Sequence, residues 1–267
     1  MRKTDFFVIV IVLLLLQSCS KKEGVVGSRQ RLAQIMFEET QTIGDVMIYD
    51  RPLSIGERWN WDGDELYRID YSDESQFSEI FYYDRRGRIS RTTVPAYKIE
   101  RDFYYDGRTL ERIKCYRDGE LYCTVVFRHN DKHISGMDWQ YESSAESDVS
   151  YDFEWKGDDV SKVICNTDSS GWECYVEYDN NYNPYHQLFG HYEMTNRFWI
   201  FGMLSENNVR SLRIVSDGDE RYYHFDYEYS EHYPSKSVMS TSYSTADPNT
   251  LDEAVCTIIK TKHFSYK

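Results

Sequence analysis

The chain has 267 residues, 45 acidic against 31 basic, and a formal net charge of −14. This acidity excludes nucleic acid as a partner and argues against binding to anionic headgroups, because both need basic surface. With 24 tyrosines, 6 tryptophans and only 5 prolines, the composition favours β-strands, since aromatic side chains fit a pleated, half-buried surface.

The N-terminus carries the features of a lipoprotein export signal. Residues 1–3 are a short basic start, and residues 6–16 are an apolar run. The run is too short for a membrane-spanning helix, which needs about 20 apolar residues, and it has the length of a secretory signal. Leu16–Cys19 reads LQSC and resembles the lipobox of bacterial lipoproteins, which implies cleavage after residue 18 and acylation of Cys19. An ordinary signal peptide with a chance cysteine is the alternative.

The region after the signal predicts the domain organisation. Residues 19–30 are polar and contain glycine, which is typical of a flexible tether. We therefore expect a signal peptide at 1–18, a lipidated N-terminus and tether at 19–30, and a single β domain at 31–267. Ser20 stands where an aspartate would signal retention at the inner membrane, so the lipobox resemblance implies attachment to the outer membrane. Either face of that membrane remains open.

A short phrase recurs in the domain: an aromatic ring, then Asp, Asn or Lys, then a turn. From Trp61 the phrases follow at intervals of 22, 22, 24, 26 and 23 residues. A period of this size indicates one repeated supersecondary unit, and it suits two strands and two turns better than a βαβ crossover, which needs about 30 residues. The phrases are Trp61-Asp62-Gly63, Tyr83-Asp84, Tyr105-Asp106-Gly107, His129-Asn130, Trp155-Lys156-Gly157 and Tyr178-Asp179-Asn180.

Between the phrases, apolar residues alternate as in strands with two unlike faces. In Leu121–Phe127, for example, every second residue places an apolar side chain on one face. The pattern predicts an all-β fold, an antiparallel meander of about 12 strands whose repeated hairpins form a large twisted or rolled sheet. A transmembrane barrel needs an uncharged lipid face, and Arg101 interrupts the apolar face of Tyr97–Tyr105. We therefore expect the sheet to be porin-like but soluble.

Residues 186–208 depart from this alternation, which predicts a short helix or a long loop there. Asn183-Pro184-Tyr185 precedes this stretch, and Leu204–Val209 reads LSENNV. The order YD…NPY…LSxNNV behind a lipobox resembles a Bacteroidetes lipoprotein family with a porin-like β domain, and the YD-x-x-G-R phrase resembles the YD repeats of rhs-type cell-surface proteins. The resemblance implies the fold and an envelope location. It implies no reaction and no catalytic residue.

Five cysteines remain beyond Cys19, and an exported chain permits disulfides. Cys165 and Cys174 would face each other across a four-residue hairpin loop, which predicts a disulfide between them. Cys115 and Cys123 flank a two-residue turn signal, which would misalign them by one residue. The alternative is five buried thiols, each behaving as a small apolar side chain.

Two acidic segments and a histidine pair are candidates for metal sites. The Asp-Gly-Asp-Glu segments at 62–65 and 217–220 lack the alternating ligands and distant Glu of a calcium loop, and Asp-Gly is a strong turn signal. His129 and His133 would share a helix face but not a face in a strand-and-turn region. We predict no catalytic, cofactor-binding or metal-binding residue.

One aromatic face is a candidate binding surface. Tyr82, Tyr104, Tyr122 and Tyr175 lie opposite the cysteine-bearing face, where they would stack on sugars or simply cover the sheet. We expect a non-enzymatic, membrane-anchored binding or scaffolding protein whose partner is a glycan or an envelope protein. The alternative is a polysaccharide-acting enzyme with a carboxylate pair in a cleft near 186–208. A purely structural envelope component is a third hypothesis.

Overall fold

Each strand of the chain pairs with its neighbours in sequence, and the first strand pairs with the last, so the sheet closes into an antiparallel barrel. The computed structural model describes residues 30–72, 77–143, 146–167, 171–186, 200–246 and 253–267. Within these ranges the elements are β1 (Leu32–Ile43), β2 (Val46–Asp62), β3 (Glu65–Tyr71), β4 (Ser78–Tyr83), β5 (Ile89–Val94), β6 (Ile99–Asp106), β7 (Thr109–Arg117), β8 (Glu120–His129), β9 (Ile134–Tyr141), β10 (Val149–Lys156), β11 (Asp159–Thr167), β12 (Gly171–Tyr182), β13 (Asn207–Ser216), β14 (Asp219–Ser230), β15 (Tyr233–Ala246) and β16 (Glu253–Tyr266), with a 3₁₀ turn (Pro95–Tyr97) and a short helix α1 (Ile200–Leu204).

The predicted all-β antiparallel meander is confirmed, but the sheet is a closed barrel of 16 strands rather than an open twisted sheet of about 12. The difference arises at the two ends of the chain. β1 and most of β2 precede the first phrase, and β13 to β16 follow the last. The pairing of β1 with β16 removes both sheet edges, which would otherwise expose unpaired backbone groups.

The recurring aromatic residues close the open ends of the hairpins. In β3–β4, Tyr83 follows a register shift and donates its hydroxyl to the Leu66 carbonyl, at 2.8 Å. In β5–β6, Tyr105 also follows a register shift and donates to the Ile89 carbonyl, at 2.8 Å. Such a shift is a β-bulge, which turns the following side chain and strengthens the local twist. We call these residues the hairpin-closing aromatics.

The same contact recurs around the whole barrel, in seven of the eight hairpins formed by β1–β2 through β15–β16. In each hairpin the ring lies near the end of the second strand and reaches a carbonyl near the start of the first, at 2.7 to 3.0 Å. The pairs are Trp61 with Leu32, Tyr83 with Leu66, Tyr105 with Ile89, His129 with Leu110, Trp155 with Ile134, Tyr227 with Val209, and Tyr266 with Pro234.

The eighth hairpin, β11–β12, reaches the same result through a relay. The Ser205 hydroxyl accepts from the Val160 backbone N–H at 3.0 Å and donates to the Tyr178 hydroxyl at 2.8 Å. Tyr178 therefore fills the hairpin-closing position, but its phrase is not a turn, because β12 continues to Tyr182 before the chain leaves the sheet.

The polar residues of the NPY and LSENN motifs fix the point where the chain leaves and rejoins the barrel. Asn183 is buried and donates its side-chain amide to the Ser205 carbonyl at 3.0 Å, while its backbone N–H bonds Glu206. Asn208 is also buried and donates to the Tyr182 carbonyl at 2.9 Å. These motifs are structural, since they satisfy the backbone on both sides of the excursion. The predicted short helix is present as α1, while residues 187–199 lie outside the described ranges.

The acidic residue of the phrase organises the turn that follows the hairpin-closing aromatic. The Asp84 carboxylate accepts the backbone N–H groups of Arg86 and Arg88 and is also bonded by the Arg88 guanidinium, at 2.6 and 2.8 Å. These contacts, led by the Arg88 hydrogen bond, lower the pKa of Asp84 from 3.8 to about 2. Arg88 also donates to the Gly107 carbonyl in the next turn, so consecutive turns are joined at one end of the barrel.

Ion pairs cover the outer wall. Arg91 bonds Asp102 at 2.6 Å, and Arg128 bonds Asp152 at 2.6 Å and Asp138 at 3.1 Å. The apolar side chains of the same strands point inward and are buried. In a lipid-facing wall each Arg or Lys would cost about 2–4 kcal/mol near the bilayer midplane. The outward face of β5, β6, β8, β9 and β10 is therefore charged at these positions, whereas the outward face of a transmembrane barrel is apolar.

Candidate functional site

One side of the barrel interior is densely packed. From β6 to β13, the inward positions form a continuous apolar cluster, in which Ile113, Val125, Tyr151 and Val163 are 0–1% exposed. A barrel of 16 strands is wide enough for a lumen, so this filling is a property of the inward side chains rather than of the strand number. No ligand can enter here without displacing the core.

The other side of the interior holds a cavity of about 1110 Å³. Small-molecule sites span about 300–1,000 Å³, so this space accommodates a ligand of several rings. Its wall is formed by the inward positions of β14, β15, β16, β1 and β2, with α1 and the NPY motif beside it. The aromatic lining residues are Phe37, Tyr71, Phe77, Tyr185, Tyr223, Phe225, Tyr227, Tyr243 and Phe264.

The strand registers place the lining residues in transverse rows. One row runs from Phe225 to Met239, Lys260, Glu39 and Arg51, each opposite the next. Lys260 and Glu39 form an ion pair at 3.2 Å, and Arg51 lies opposite Glu39 on its other side. One carboxylate is thus flanked by two cations, and the row carries a net positive charge.

The adjacent row adds a cation among aromatic rings. It runs from Tyr227 to Ser237, Lys262 and Phe37. The Lys262 ammonium lies 5.2 Å from the ring centroids of both Phe37 and Tyr185, and 3.2 Å from the Tyr185 hydroxyl. Burial raises the pKa of the Tyr227 hydroxyl, so it stays protonated and donates to the Val209 carbonyl.

Two arginines also line the cavity. Arg221 and Arg51 both line it, and neither has an ion-pair partner among the residues that the structure describes. The lining therefore has four cations, Arg51, Arg221, Lys260 and Lys262, against the carboxylates of Glu38, Glu39 and Glu57, and it is net positive inside a chain with a formal net charge of −14. This lining is suited to a ligand that carries an anionic group on or beside a ring.

The described lining of the cavity contains three carboxylates, those of Glu38, Glu39 and Glu57, and the last two are too far apart to form the pair that the enzyme hypothesis requires. Glu57 is only 2% exposed and accepts the Trp59 indole N–H at 2.7 Å. Glu57 lies opposite Ile35, four residues along β1 from Glu39. At roughly 3.3 Å per residue the two are about 13 Å apart along the strand, beyond the roughly 5–9.5 Å of glycosidase carboxylates.

The packed side also contains a buried ion pair. Arg101, the charged residue on the apolar face, is 2% exposed and bonds Glu79, which is 0% exposed, at 2.9 Å. Thr92 accepts from the same guanidinium nitrogen at 3.3 Å. The other terminal nitrogen, Nη2, is buried and has no hydrogen-bond partner in the described structure. Arg101 thus points inward, as the alternation predicts, and its charge is compensated there.

The predicted bridge between Cys165 and Cys174 is wrong in its register. Cys165 lies opposite Trp172, and Cys174 lies opposite Val163, so the two cysteines are diagonal neighbours rather than a facing pair. Neither is in a disulfide, although both are buried on the inward face as expected. The pairing of Asn166 with Gly171 shifts the loop from its expected position. The predicted lipidation site Cys19 lies outside the described residues.

The remaining sequence candidates are structural. Both Asp-Gly segments are hairpin turns, joining β2 to β3 and β13 to β14. In the second, Asp217 and Gly218 have φ of 47° and 90°, the left-handed conformation of a two-residue turn. His129 closes a hairpin, and His133 stacks on Trp155 at 4.2 Å. No cluster of metal-ligating side chains occurs in the described ranges.

Three tyrosines of the predicted aromatic face, Tyr82, Tyr104 and Tyr175, lie on the outer wall and do not form an open platform, whereas Tyr122 packs against the buried core. Tyr104 has the Arg112 guanidinium 5.2 Å from its ring centroid, and Tyr175 has that of Arg213 at 4.5 Å. Tyr82 is 47% exposed. Aromatic residues line the cavity instead, and several of them lie on the inward face of β14 to β16, outside the recurring phrases.

Solved structures that are similar to this chain include two porin-like proteins. A porin-like protein from Bacteroides vulgatus is 15% identical, with a TM-score of 0.42, covering 89% of this chain and 99% of that one. A porin-like protein from Bacteroides uniformis is 10% identical, with a TM-score of 0.36, covering 88% and 96%. No protein-family model and no curated protein matches the chain. Among the described residues, no helix has the length and apolarity needed to cross a bilayer.

Proposed function

We propose that the chain is an outer-membrane-anchored lipoprotein whose barrel binds an acidic saccharide in its interior cavity, without a chemical reaction. The observation that carries this proposal is the cavity of about 1110 Å³, which combines aromatic rings with Arg51, Arg221, Lys260 and Lys262. The rings suit the apolar faces of sugars, the hydroxyls of Ser237 and neighbouring tyrosines suit their hydroxyl groups, and the cations suit a carboxylate or sulfate.

The anchoring part of the proposal rests on the lipobox-like sequence at Leu16–Cys19. A mature N-terminus acylated at Cys19 would hold the barrel at a membrane through residues 19–30. The charged outer wall supports attachment by lipid rather than by insertion of the barrel. Labelling cells with an alkyne-tagged fatty acid tests this part: the protein should carry the label, and Cys19→Ala should lose it.

The binding part is tested by calorimetry with acidic oligosaccharides from polygalacturonate and chondroitin, against neutral malto- and cello-oligosaccharides. We expect an acidic oligosaccharide to bind and the neutral ones to bind much more weakly. Added salt should weaken the binding, because it screens charge pairs. Arg221→Met should reduce affinity roughly 10- to 100-fold, since a hydrogen bond to a charged group contributes about 1.5–3 kcal/mol.

A matched control separates the cavity from charge in general. Arg91→Met removes an arginine from the outer wall, where Arg91 bonds Asp102, and it should leave the affinity unchanged. Equal losses in both variants would place the binding on the outer surface. Equal affinity for acidic and neutral oligosaccharides, or no binding of either, would contradict the proposed ligand class.

A further inference from the structure

A β-bulge brings two buried cysteines face to face. Asp118 and Gly119 form the two-residue turn between β7 and β8, with φ of 53° and 84°. Continued without interruption, this turn would set Cys115 opposite Tyr122. A register shift after Cys115 instead places it directly opposite Cys123. The misalignment expected from the turn is therefore removed by the bulge.

The two thiols face each other inside the barrel. Cys115 is 2% exposed and Cys123 is 0% exposed, and they lie at directly opposite positions of β7 and β8. Facing Cβ atoms in a sheet are about 4.5–5.5 Å apart, and a disulfide needs about 3.8 Å, so only a small closure of the two strands is required. No other described cysteine lies opposite a cysteine in the strand registers.

A cation lies beside this pair. Arg101 lies opposite Cys115 on the other neighbouring strand, β6, and is held there by Glu79. The hydrogen bond from Cys123, together with the charge of Arg101, lowers the pKa of the Cys115 thiol, while the pKa of Cys123 is raised. Cys115 is therefore the member of the pair favoured as thiolate, which is the attacking species in disulfide exchange.

We propose that Cys115 and Cys123 form a disulfide when the chain folds in an oxidising compartment, and that this bridge covalently joins β7 to β8. The oxidant is the disulfide of an exported thiol oxidoreductase or of glutathione. The Cys115 thiolate attacks one oxidant sulfur and releases the other as a thiolate. The Cys123 thiolate then attacks the Cys115 sulfur, which forms the protein disulfide and releases the second thiol. Two protein thiols lose two protons and two electrons, and the oxidant disulfide gains them.

Because both cysteines are buried, the disulfide must form during folding. Since both sulfurs are inaccessible in the closed barrel, the oxidant must act before β7 and β8 are enclosed, and the finished bridge should resist reductants until the protein unfolds. The proposal is independent of the cavity and of the ligand, because Cys115 and Cys123 belong to the packed side.

Peptide mapping of the full chain recovered from a cell envelope tests the proposal. The protein is denatured in an alkylating reagent without reductant and then digested with trypsin. Cleavage after Lys114, Arg117 and Arg128 separates the two cysteines. We expect the peptides 115–117 and 118–128 to be joined and to lack two hydrogen atoms, and to separate after reduction.

The other cysteines provide an internal control in the same digest. Cys165 and Cys174 fall in one tryptic peptide, 163–197, and should both be alkylated. Alkylation of Cys115 and Cys123 before reduction would overturn the proposal, as would a bridge between Cys165 and Cys174. A second readout compares thermal midpoints of Cys115→Ala/Cys123→Ala with Cys165→Ala/Cys174→Ala. The parent chain should have a higher thermal midpoint when oxidised than when reduced. Cys115→Ala/Cys123→Ala should abolish this difference and Cys165→Ala/Cys174→Ala should retain it. The same effect of both double variants would contradict the bridge.

Discussion

Strands β6 to β13 and strands β14 to β2 build the same wall but fill its interior differently. On the first side, inward residues such as Ile113 and Val163 are 0–1% exposed and exclude a ligand. On the second, Tyr223 and Phe225 are half-buried beside the charged row of Lys260 and Glu39. The hairpin-closing aromatics occur on both sides, with Tyr105 on one and Tyr227 on the other. Wall construction is thus separable from core packing, which leaves one side available for binding.

The largest expected difference between the sides concerns their ion pairs. Arg101→Met leaves Glu79 buried without its cation, and breaking such a pair costs about 3–5 kcal/mol in the free energy of unfolding. Lys260→Met removes the partner of Glu39 on the cavity side, where the lysine is 49% exposed, and should cost only about 0–1 kcal/mol. Urea unfolding measures both. Similar losses in the free energy of unfolding would show that the two ion pairs are equally shielded from water, which would contradict the difference between the two sides.

A smaller difference is expected for matched isoleucines. Ile113→Ala opens a void in a site that is 1% exposed, and such truncations cost about 2–5 kcal/mol. Ile258 lines the cavity and is half-buried, so Ile258→Ala enlarges existing space and should cost less than about 1 kcal/mol. The same unfolding measurement checks the pair. A cost above about 2 kcal/mol at Ile258 would mean that the cavity side is packed.

The hairpin-closing aromatics should have equal effects on the two sides. Tyr105→Phe and Tyr227→Phe each remove one hydrogen bond to a backbone carbonyl, and each should cost about 0.5–1.5 kcal/mol. Tyr82→Phe, at a 47% exposed outer position, is the control and should be neutral. Chemical denaturation of the three variants is sufficient. If only Tyr105→Phe were destabilising, the contribution of the hairpin-closing aromatics would depend on the packed core beside them.

The smallest effect is a dependence on alkaline pH. Burial raises the pKa of Tyr83 and of Tyr105 from 10.0 to about 12. Because their folded pKa lies above the unfolded value, the folded state retains these protons longer, and the stabilisation present below pH 10 is lost as pH rises to about 12. Unfolding free energies across this range should decline less steeply in Tyr83→Phe than in the parent chain. An identical decline would assign the titration to other groups.

The strands and turns of the barrel wall were largely predictable from the sequence, because they depend on local signals. Alternation and turn residues act over a few neighbours, so the meander and the repeated aromatics were visible at Tyr83 and Tyr105. The β-bulges were not predictable, because a bulge inserts one residue without a distinctive signal. A bulge is why Cys115 faces Cys123, whereas Cys165 and Cys174 do not face each other because the register of β11 and β12 differs from the predicted one. Only the register of the sheet distinguishes these alternatives.

The cavity could not be predicted, because it depends on contacts between distant parts of the chain. Lys260 and Glu39 are adjacent only because β16 pairs with β1, which is the closure that the repeat pattern left open. The alternation of β14, with its tyrosines at every second position, was readable as a strand. The sequence does not show that β14 lines a cavity, because the same alternation occurs in strands that line the packed core elsewhere in the barrel.

Reagent access to the two interiors tests the central distinction most directly. Ile258 lines the cavity and is half-buried, and Ile113 lies in the packed core with 1% exposure, so Ile258→Cys and Ile113→Cys place the same thiol on opposite sides. In the folded protein, a small charged thiosulfonate should modify Ile258→Cys many-fold faster than Ile113→Cys, and the native cysteines should stay silent because all five in the described chain are buried. Equal rates at the two positions would contradict the account.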